Sequence, residues 1–205
     1  MSWSEVLMDL LKNRIISEGK IIGTDILKVD SFLNHQIDPQ LLEKIGESFA
    51  RKFEGAGITK VLTIESSGIA PALFTAKSLG VPSVFARKTT SRNLDNDTYI
   101  SNVHSFTKGT DYVIRVSKKY LSDGDVVLLI DDFLAKGCAL KGLIDIVSQS
   151  GAKIAGAGIV IEKGFQEGGA LIRDMGIRVH SLAIVKEMSE KENRIIFEDE
   201  DNLHE

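Results

Sequence analysis

The stretch VVLLIDDFLAKGCALKG, residues 126–142, decides the fold. Five apolar residues, typical of a strand covered on both faces in a parallel sheet, run directly into two carboxylates, Asp131 and Asp132. A loop of small residues follows, and the apolar spacing after it predicts a helix at about 138–149. Ligands of such sheets bind beyond the carboxyl ends of the strands, so the paired acids are predicted to border a binding site.

The rest of the chain alternates strands and helices around this stretch. An amphipathic helix is predicted at 4–18, and Asp38 with Pro39 forms the cap and first turn of a second helix that ends near Gly55. A third helix is predicted at 69–80. This alternation predicts an α/β fold with a mainly parallel twisted sheet flanked by helices. The remaining predicted strands are 60–65, 81–86, 111–117, 153–161 and 179–185.

Two segments do not follow this rhythm. Residues 88–110 are long, polar and weakly periodic, which is typical of a loop that closes over a site or of a disordered segment. The acidic end EDEDNLHE, residues 198–205, is interpreted as a solvated tail. No internal repeat or linker is evident, so the chain is expected to form a single domain, 1–205.

Composition excludes several classes of protein. The net charge of −4 argues against attraction of the whole surface to nucleic acid or to a membrane. Cys138 is the single cysteine, so neither an intrachain disulfide nor a cysteine zinc cluster can form. No apolar run is long enough for a membrane span or a signal peptide, which predicts a cytoplasmic protein. The P-loop pattern is absent, and GAGIVI, within a predicted strand, lacks the last glycine of the dinucleotide fingerprint.

The residues that follow the predicted strands form a consistent set. Each has a simpler alternative: the two acids as a solvated strand end or a cap, the small-residue loops as ordinary turns, the basic residues as surface side chains. Cys138 is interpreted as a small loop residue and not as a nucleophile. Taken together they predict a site for phosphates and for a hydroxylated group that binds a metal. The set comprises Ser66, Ser67, Gly68, Arg87, Lys88, Asp131, Asp132, residues 135–139, Glu162 and Lys163.

With these residues in place, VVLLIDDFLAKGCA is similar to the signature of the type I phosphoribosyltransferases. LKVDSFLNHQIDP, TIESSGIAPA, VFARK, SFTK and GIVIEK extend the resemblance to the bacterial members that act on xanthine, over about residues 20–187. The resemblance implies that phosphoribosyl pyrophosphate (PRPP) and xanthine give xanthosine 5′-monophosphate (XMP) and pyrophosphate in purine salvage. It further implies a cytoplasmic homodimer that uses Mg²⁺ bound with PRPP.

The resemblance also implies roles for particular residues. The 5′-phosphate loop is Ala135, Lys136, Gly137, Cys138 and Ala139. The xanthine contacts are Leu27, Asn34 and Lys163. Leu27 and Asn34 belong to a hood, whose elements lie mainly within 1–40 and in the C-terminal part. The pyrophosphate loop contains Ser67 and Gly68, and 88–108 is a flexible lid, with Tyr99 and Ser101 as candidate contacts. The family signature favours Thr and Gly where this chain has Lys136 and Cys138, and often Thr where it has Ala139. Because those hydroxyl groups are missing, backbone N–H groups make more of the contacts with the phosphate.

The chemistry suits these residues. Asp131 and Asp132 are the predicted catalytic pair, because carboxylates accept hydrogen bonds from ribose hydroxyls and stabilise a ribose that becomes cationic. Arg87 and Lys88 are expected to hold the departing pyrophosphate together with the backbone of Ser67 and Gly68. Mg²⁺ prefers oxygen ligands and keeps waters, so no direct protein ligand of the metal is assigned.

Two alternatives remain. One is an enzyme of the same class that uses guanine or hypoxanthine. The other is a regulator with the same fold that senses PRPP, although the acidic chain has no spare domain for nucleic acid.

Overall fold

The computed structural model describes residues 3–89, 97–105 and 109–198. An eight-stranded sheet has the order β10-β9-β8-β7-β3-β4-β6-β5, and a separate hairpin, β1-β2, lies apart from it. The helices are α1 (Trp3–Glu18), α2 (Pro39–Lys52), α3 (Ile69–Leu79), α4 (Cys138–Ser150) and α5 (Gly168–Asp174). The strands are β1 (Lys20–Ile22), β2 (Ile26–Lys28), β3 (Lys60–Ile64), β4 (Ser83–Thr89), β5 (Thr98–Ser105), β6 (Thr110–Ser117), β7 (Val126–Leu134), β8 (Lys153–Lys163), β9 (Val179–Ser189) and β10 (Arg194–Phe197).

The five central strands are parallel, which confirms the prediction of a mainly parallel sheet. β4, β3, β7, β8 and β9 run in one direction. β6, β5 and β10 are antiparallel additions at the two edges. The sequence did not distinguish residues 111–117 from the parallel strands, because β6 lies between β4 and β5 and its partly buried residues carry a similar apolar pattern.

Alternate side chains of β7 enter two separate cores, which explains its continuous apolar sequence. Leu128 and Ile130 pack in the first core, together with α1, α2, the π-helical turn Asp30–Asn34 and the β1-β2 hairpin. Val127 and Leu129 pack in the second core, with α4 and the β5-β6 hairpin. Because successive strand side chains point to opposite faces, a strand covered on both sides must be apolar throughout.

Two of the predicted strand ends need correction. β7 continues through Asp131 and Asp132 to Leu134, and β8 continues through Glu162 to Lys163, so these polar residues lie inside strands. The backbone ladder between β7 and β8 runs on to the pair Leu134↔Glu162, since ladder hydrogen bonds do not depend on side-chain polarity.

The prediction of a loop over 88–110 is also wrong in part. β4 extends to Thr89, and Thr98–Ser105 is a strand paired along its length with β6. On β5, Ser101 and Val103 are buried whereas Asn102 and His104 are exposed. A serine at a buried position hid this alternation in the sequence. Residues 90–96 and 106–108 of the predicted lid, and the tail from residue 199, lie outside the described residues.

The cap of α2 matches its prediction. The Asp38 carboxylate accepts hydrogen bonds from the N–H groups of Gln40 and Leu41, at 3.0 and 3.1 Å, and Pro39 occupies the first turn. The guanidinium of Arg14, on α1, donates to the second Asp38 oxygen at 2.9 Å. The cap therefore joins the first two helices as well as starting the second.

A buried carboxylate joins the starts of β3 and β7 at the sheet end opposite to the paired acids. Asp125 accepts hydrogen bonds from Lys60, Thr59 and the backbone N–H of Ser122. Burial raises the pKa of Asp125, but these hydrogen bonds outweigh it and lower the pKa from its ordinary value of 3.8 to about 2. The ionised carboxylate therefore stabilises the fold.

We expect Asp125→Asn to lower the free energy of unfolding at pH 7 by about 2 kcal/mol, the size that a depressed carboxylate pKa contributes through linkage. The contribution is complete above the unfolded pKa and is lost as the pH falls through about 2. The difference between wild type and variant should therefore shrink between pH 4 and pH 2 in urea unfolding. The exposed neighbour Asp123 supplies the control Asp123→Asn, and an equal loss in both variants would contradict the prediction.

Candidate active site

A cleft of about 460 Å³ lies at the carboxyl ends of the parallel strands. β7 crosses its floor, because β3 pairs with β7 only as far as Leu129 while β8 accompanies β7 to Leu134. Beyond Leu129 one side of β7 is thus open to the loop that follows β3. Both Asp131 and Asp132 line the cleft.

The two carboxylates are buried, each 7% exposed. The Asp132 N–H donates to Asp131 Oδ1 at 3.0 Å. Burial, and then the neighbouring charge of Asp132, raise the pKa of Asp131 well above its ordinary range, while Lys88 opposes the shift. A ligand hydroxyl that donates a hydrogen bond to the pair, or a positive charge that develops on the ligand, would offset the repulsion between the two carboxylates. The pair therefore suits a ribose.

All five residues of the predicted 5′-phosphate loop line the cleft. Gly137 caps α4 with a φ of 78°, a left-handed conformation that glycine adopts without strain. The Gly137 carbonyl accepts the first helical hydrogen bond, from Lys141, so the N–H groups of the first turn have no partner within the helix. Free N–H groups and the dipole of a 13-residue helix together form a site for an anion.

Ser67 and Lys88 also line the cleft. Gly68 caps α3 next to Asp131, since a Cβ on it would lie 3.1 Å from Asp131 Oδ1. The Lys88 N–H donates to Glu65 Oε1 at 2.6 Å, and its ammonium lies 5.1 Å from the Tyr112 ring centroid. A ligand in the cleft can therefore contact the Ser67–Gly68 loop and Lys88 with an anionic group while another part of it contacts the paired acids.

Arg87 does not line the cleft. It is exposed and pairs in register with Arg115 of β6, and the neighbouring Lys88 faces the cleft because strand side chains alternate. The structure thus brings together Lys88, Ser67 and the paired acids, and it leaves Arg87 outside this group.

Lys163 closes the end of the cleft near the β1-β2 hairpin. Its ammonium donates to the Asp25 carbonyl at 2.5 Å and lies 5.7 Å from the Phe133 ring centroid. Burial lowers the pKa of Lys163, and Asp25 opposes this shift. Asp25 and Ile26 complete this part of the wall. The half-buried lysine thus presents a donor beside an aromatic face, which suits a flat heterocycle with oxo groups.

The two predicted hood contacts lie elsewhere in this structure. The Leu27 side chain is buried in the first core, 5% exposed, and Asn34 is exposed at the end of the π-helical turn. Neither lines the cleft. Of the candidate lid contacts, Ser101 is buried in β5 and Tyr99 packs on the second core below the Lys118 ammonium.

Several lining residues were not predicted from the sequence. Phe133 directly follows the paired acids on β7. That adjacency in the sequence could have indicated that it lines the cleft. Side chains from five other parts of the chain, two strands and three loops, reach the cleft only through the tertiary fold. They are Asp25, Glu65, His104, Tyr112 and Gln166.

The fold agrees with the comparisons with known proteins. The model of the phosphoribosyl transferase domain family matches residues 33–191, and this chain belongs to that family. Solved adenine phosphoribosyltransferases share the fold. The enzyme from Rhodothermus marinus superimposes with a TM-score of 0.70 at 24% identity, covering 88% of this chain and 99% of its own. The Giardia lamblia enzyme complexed with 9-deazaadenine gives 0.69 at 24% identity, covering 85% and 96%.

Among curated proteins, xanthine phosphoribosyltransferases are similar over most of the chain. The one from Ruminiclostridium cellulolyticum is 58% identical over 181 residues, 88% of this chain and 95% of its own length. The Oceanobacillus iheyensis protein is 56% identical, over 89% and 94% of the two chains. The Pseudomonas aeruginosa protein is 56% identical, over 89% and 96%.

No helix of the described residues is long and apolar enough to cross a membrane. In the same residues, no group of three or more His, Cys, Asp and Glu side chains is placed to hold a metal ion. The Asp131 and Asp132 carboxylates offer two hard oxygen donors at the cleft. This set fits a Mg²⁺ ion that keeps part of its water and arrives with a phosphorylated substrate.

Proposed function

We propose that this protein transfers the 5-phosphoribosyl group of PRPP to xanthine, giving XMP and pyrophosphate in purine salvage. The observation that carries the proposal is the joint placement, in one cleft, of the paired acids, the 135–139 loop and Lys163. The similarity to curated xanthine phosphoribosyltransferases supports the choice of base. In the reaction, the bond from ribose C1′ to the pyrophosphate oxygen breaks, a bond from C1′ to a purine nitrogen forms, and the proton of that nitrogen is released to solvent.

Different residues of the cleft bind different parts of PRPP. The N–H groups at the start of α4 bind the 5′-phosphate, and Lys88 with the Ser67–Gly68 backbone binds the pyrophosphate. Asp131 and Asp132 accept hydrogen bonds from the ribose hydroxyls and stabilise positive charge that develops at C1′. Fixing both ends of PRPP positions C1′ for attack, an effect that is worth several kcal/mol in oriented reactions. Mg²⁺ bound with PRPP supplies neutralising charge to the pyrophosphate, and the two carboxylates are the residues that would meet it.

Hydrogen-bond direction favours an oxopurine. Lys163 only donates, so it matches an oxo acceptor and is mismatched with the 6-amino group of adenine. Phe133 offers a ring for stacking beside it. Leu27 and Asn34 remain proposed xanthine contacts. Asn34 both donates and accepts, which suits a 2-oxo group beside a ring N–H, and it would have to move from its exposed position.

We also propose the organisation that the resemblance implies. The chain forms a single domain, its hood contains the β1-β2 hairpin, and residues 88–108, which include β5, act as a lid over the cleft. It works as a cytoplasmic homodimer without nucleic acid or membrane partners. Arg87 remains a proposed pyrophosphate ligand that acts only if β4 or the lid rearranges, because its side chain lies outside the cleft.

A panel of bases tests the proposal. Purified protein, PRPP and Mg²⁺ are mixed separately with xanthine, guanine, hypoxanthine, adenine and orotate, and the nucleotide formed is followed. We expect strong preference for xanthine and no use of adenine. Preference for guanine or hypoxanthine would keep the PRPP site and overturn the account of the base pocket. Tight PRPP binding without turnover of any base would favour the regulator.

A further inference from the structure

A partly buried ion pair lies behind the phosphate loop, outside the cleft. The Arg173 guanidinium, on α5, donates to both Glu162 carboxylate oxygens, at 2.7 and 2.8 Å, and the Ser181 hydroxyl donates to the same carboxylate. Glu162 is 3% exposed and neither charged partner lines the cleft. The net stability that such a pair contributes is small, because desolvation of the Glu162 carboxylate and solvent screening at Arg173, whose side chain is 36% exposed, offset the attraction. Stability alone therefore does not explain the presence of the Glu162–Arg173 pair.

The pair fixes a short helix against the loop. α5 has only seven residues, too few for a helix that is stable by itself, so tertiary contacts must hold it. Its first residue, Gly168, donates its N–H to the Ala135 carbonyl at 3.0 Å. That hydrogen bond directs the carbonyl of the first loop residue at α5, away from an anion in the cleft.

The contact is too close for any side chain. A Cβ on Gly168 would lie 2.1 Å from the Ala135 oxygen and 2.6 Å from the Gly137 nitrogen, both backbone atoms. A Cβ on Gly169 would lie against the Glu162 carboxylate and 2.6 Å from an Arg173 nitrogen. Two consecutive glycines thus let α5 contact the phosphate loop with one residue and the ion pair with the next.

We propose that Glu162 and Arg173 are positioning residues for PRPP: through Gly168 they hold the 135–139 loop in the shape that binds the 5′-phosphate. This inference rests on the proposed function, since it assumes that the loop binds that phosphate. Glu162 directly precedes Lys163 on β8, so the same strand end supports the loop on one side and the base-binding lysine on the other.

Gly168→Ala tests the contact. The added methyl group displaces the loop backbone, and we expect the KM for PRPP to rise about tenfold to a hundredfold, the cost of a misplacement of about 1 Å. The KM for xanthine should change much less, and so should kcat, because Lys163 and the paired acids are not moved. Gly124→Ala is the control, since a Cβ at Gly124 meets no atom within 4 Å. Calorimetry with PRPP alone gives the affinity independently of turnover.

A second variant tests the ion pair without leaving a charge buried alone. The double variant Glu162→Gln, Arg173→Met removes both charges, so the fold is expected to persist. We expect the same selective rise in the KM for PRPP. Unchanged PRPP affinity in this variant, or an equal rise in both KM values, would overturn the positioning role, and this result decides the matter if Gly168→Ala does not fold.

A loop variant separates this inference from the proposed function. Gly137→Ala strains the left-handed residue of the loop itself and should weaken PRPP binding if the loop binds the phosphate. Normal PRPP binding in Gly137→Ala would refute the loop's assigned role and the inference with it. Weak binding in Gly137→Ala with normal binding in Gly168→Ala and in the double variant would refute the inference alone.

Discussion

Replacing Asp131 and Asp132 together by asparagine is expected to lower kcat about 10³-fold, as the loss of preorganised charge at a transition state does. Asparagine keeps the size of each side chain and an acceptor oxygen, so the Asp132 N–H retains its partner on residue 131. What disappears is the negative charge beneath a ribose that becomes cationic. Steady-state kinetics with saturating PRPP and xanthine measure the effect.

The control for this variant is Asp145→Asn, an exposed carboxylate on α4 that hydrogen bonds with Gln149. It should leave kcat unchanged. Near-normal turnover in the Asp131, Asp132 double variant, with a native circular dichroism spectrum, would show that the acids do not act on the ribose.

The single substitution Asp131→Asn should stabilise the folded protein. Because burial raises the pKa of Asp131, the folded state binds a proton more tightly than the unfolded state, and ionising this carboxyl costs stability at neutral pH. Asp131→Asn removes that cost, so its melting temperature at pH 7 should exceed that of the wild type. The difference should shrink as the pH falls through the raised pKa. A lower melting temperature at pH 7 would contradict the assigned cause of the shift.

Lys163→Ala is expected to lower kcat/KM for xanthine by about 10- to 100-fold, since a hydrogen bond from a charged group contributes about 1.5–3 kcal/mol. The Lys163 ammonium lies at the proposed base end of the cleft, where its described contacts are the Asp25 carbonyl and the Phe133 ring. PRPP affinity, measured by calorimetry, should therefore remain close to that of the wild type.

Lys153→Ala provides the matched control, because Lys153 is an exposed lysine at the other end of the same strand, β8. This variant should leave both kcat/KM for xanthine and the affinity for PRPP unchanged. A loss of PRPP affinity in Lys163→Ala equal to the loss in xanthine use would contradict the division of the cleft into a base end and a phosphate end.

Much of the fold could be predicted from short-range patterns. The apolar run before Asp131, the cap at Asp38 and the glycine after α3 are local signals, and the predicted helices at 4–18, 69–80 and 138–149 match α1, α3 and α4 to within a residue. The family resemblance to phosphoribosyltransferases also depends on consecutive residues, and the matching family model confirms it.

The extents of the strands were less predictable. Asp131 and Glu162 read as strand ends because polar residues interrupt an apolar run, yet the ladder between β7 and β8 continues past both. β5 was missed because Ser101 occupies a buried position, and α5 because it begins with two glycines. In each case backbone pairing or packing outweighed the local preference.

By itself the sequence determined the α/β class, the parallel centre of the sheet and the paired acids before a phosphate-type loop, because these depend on periodicity and on residues adjacent in the chain. Only the tertiary structure decided that Lys88 and not Arg87 faces the cleft, that Leu27 enters the core, and that Gly168 contacts the 135–139 loop. Those outcomes depend on which face of a strand meets its neighbour and on how closely two backbones approach. Both are set by contacts between residues distant in the chain, which no local pattern encodes.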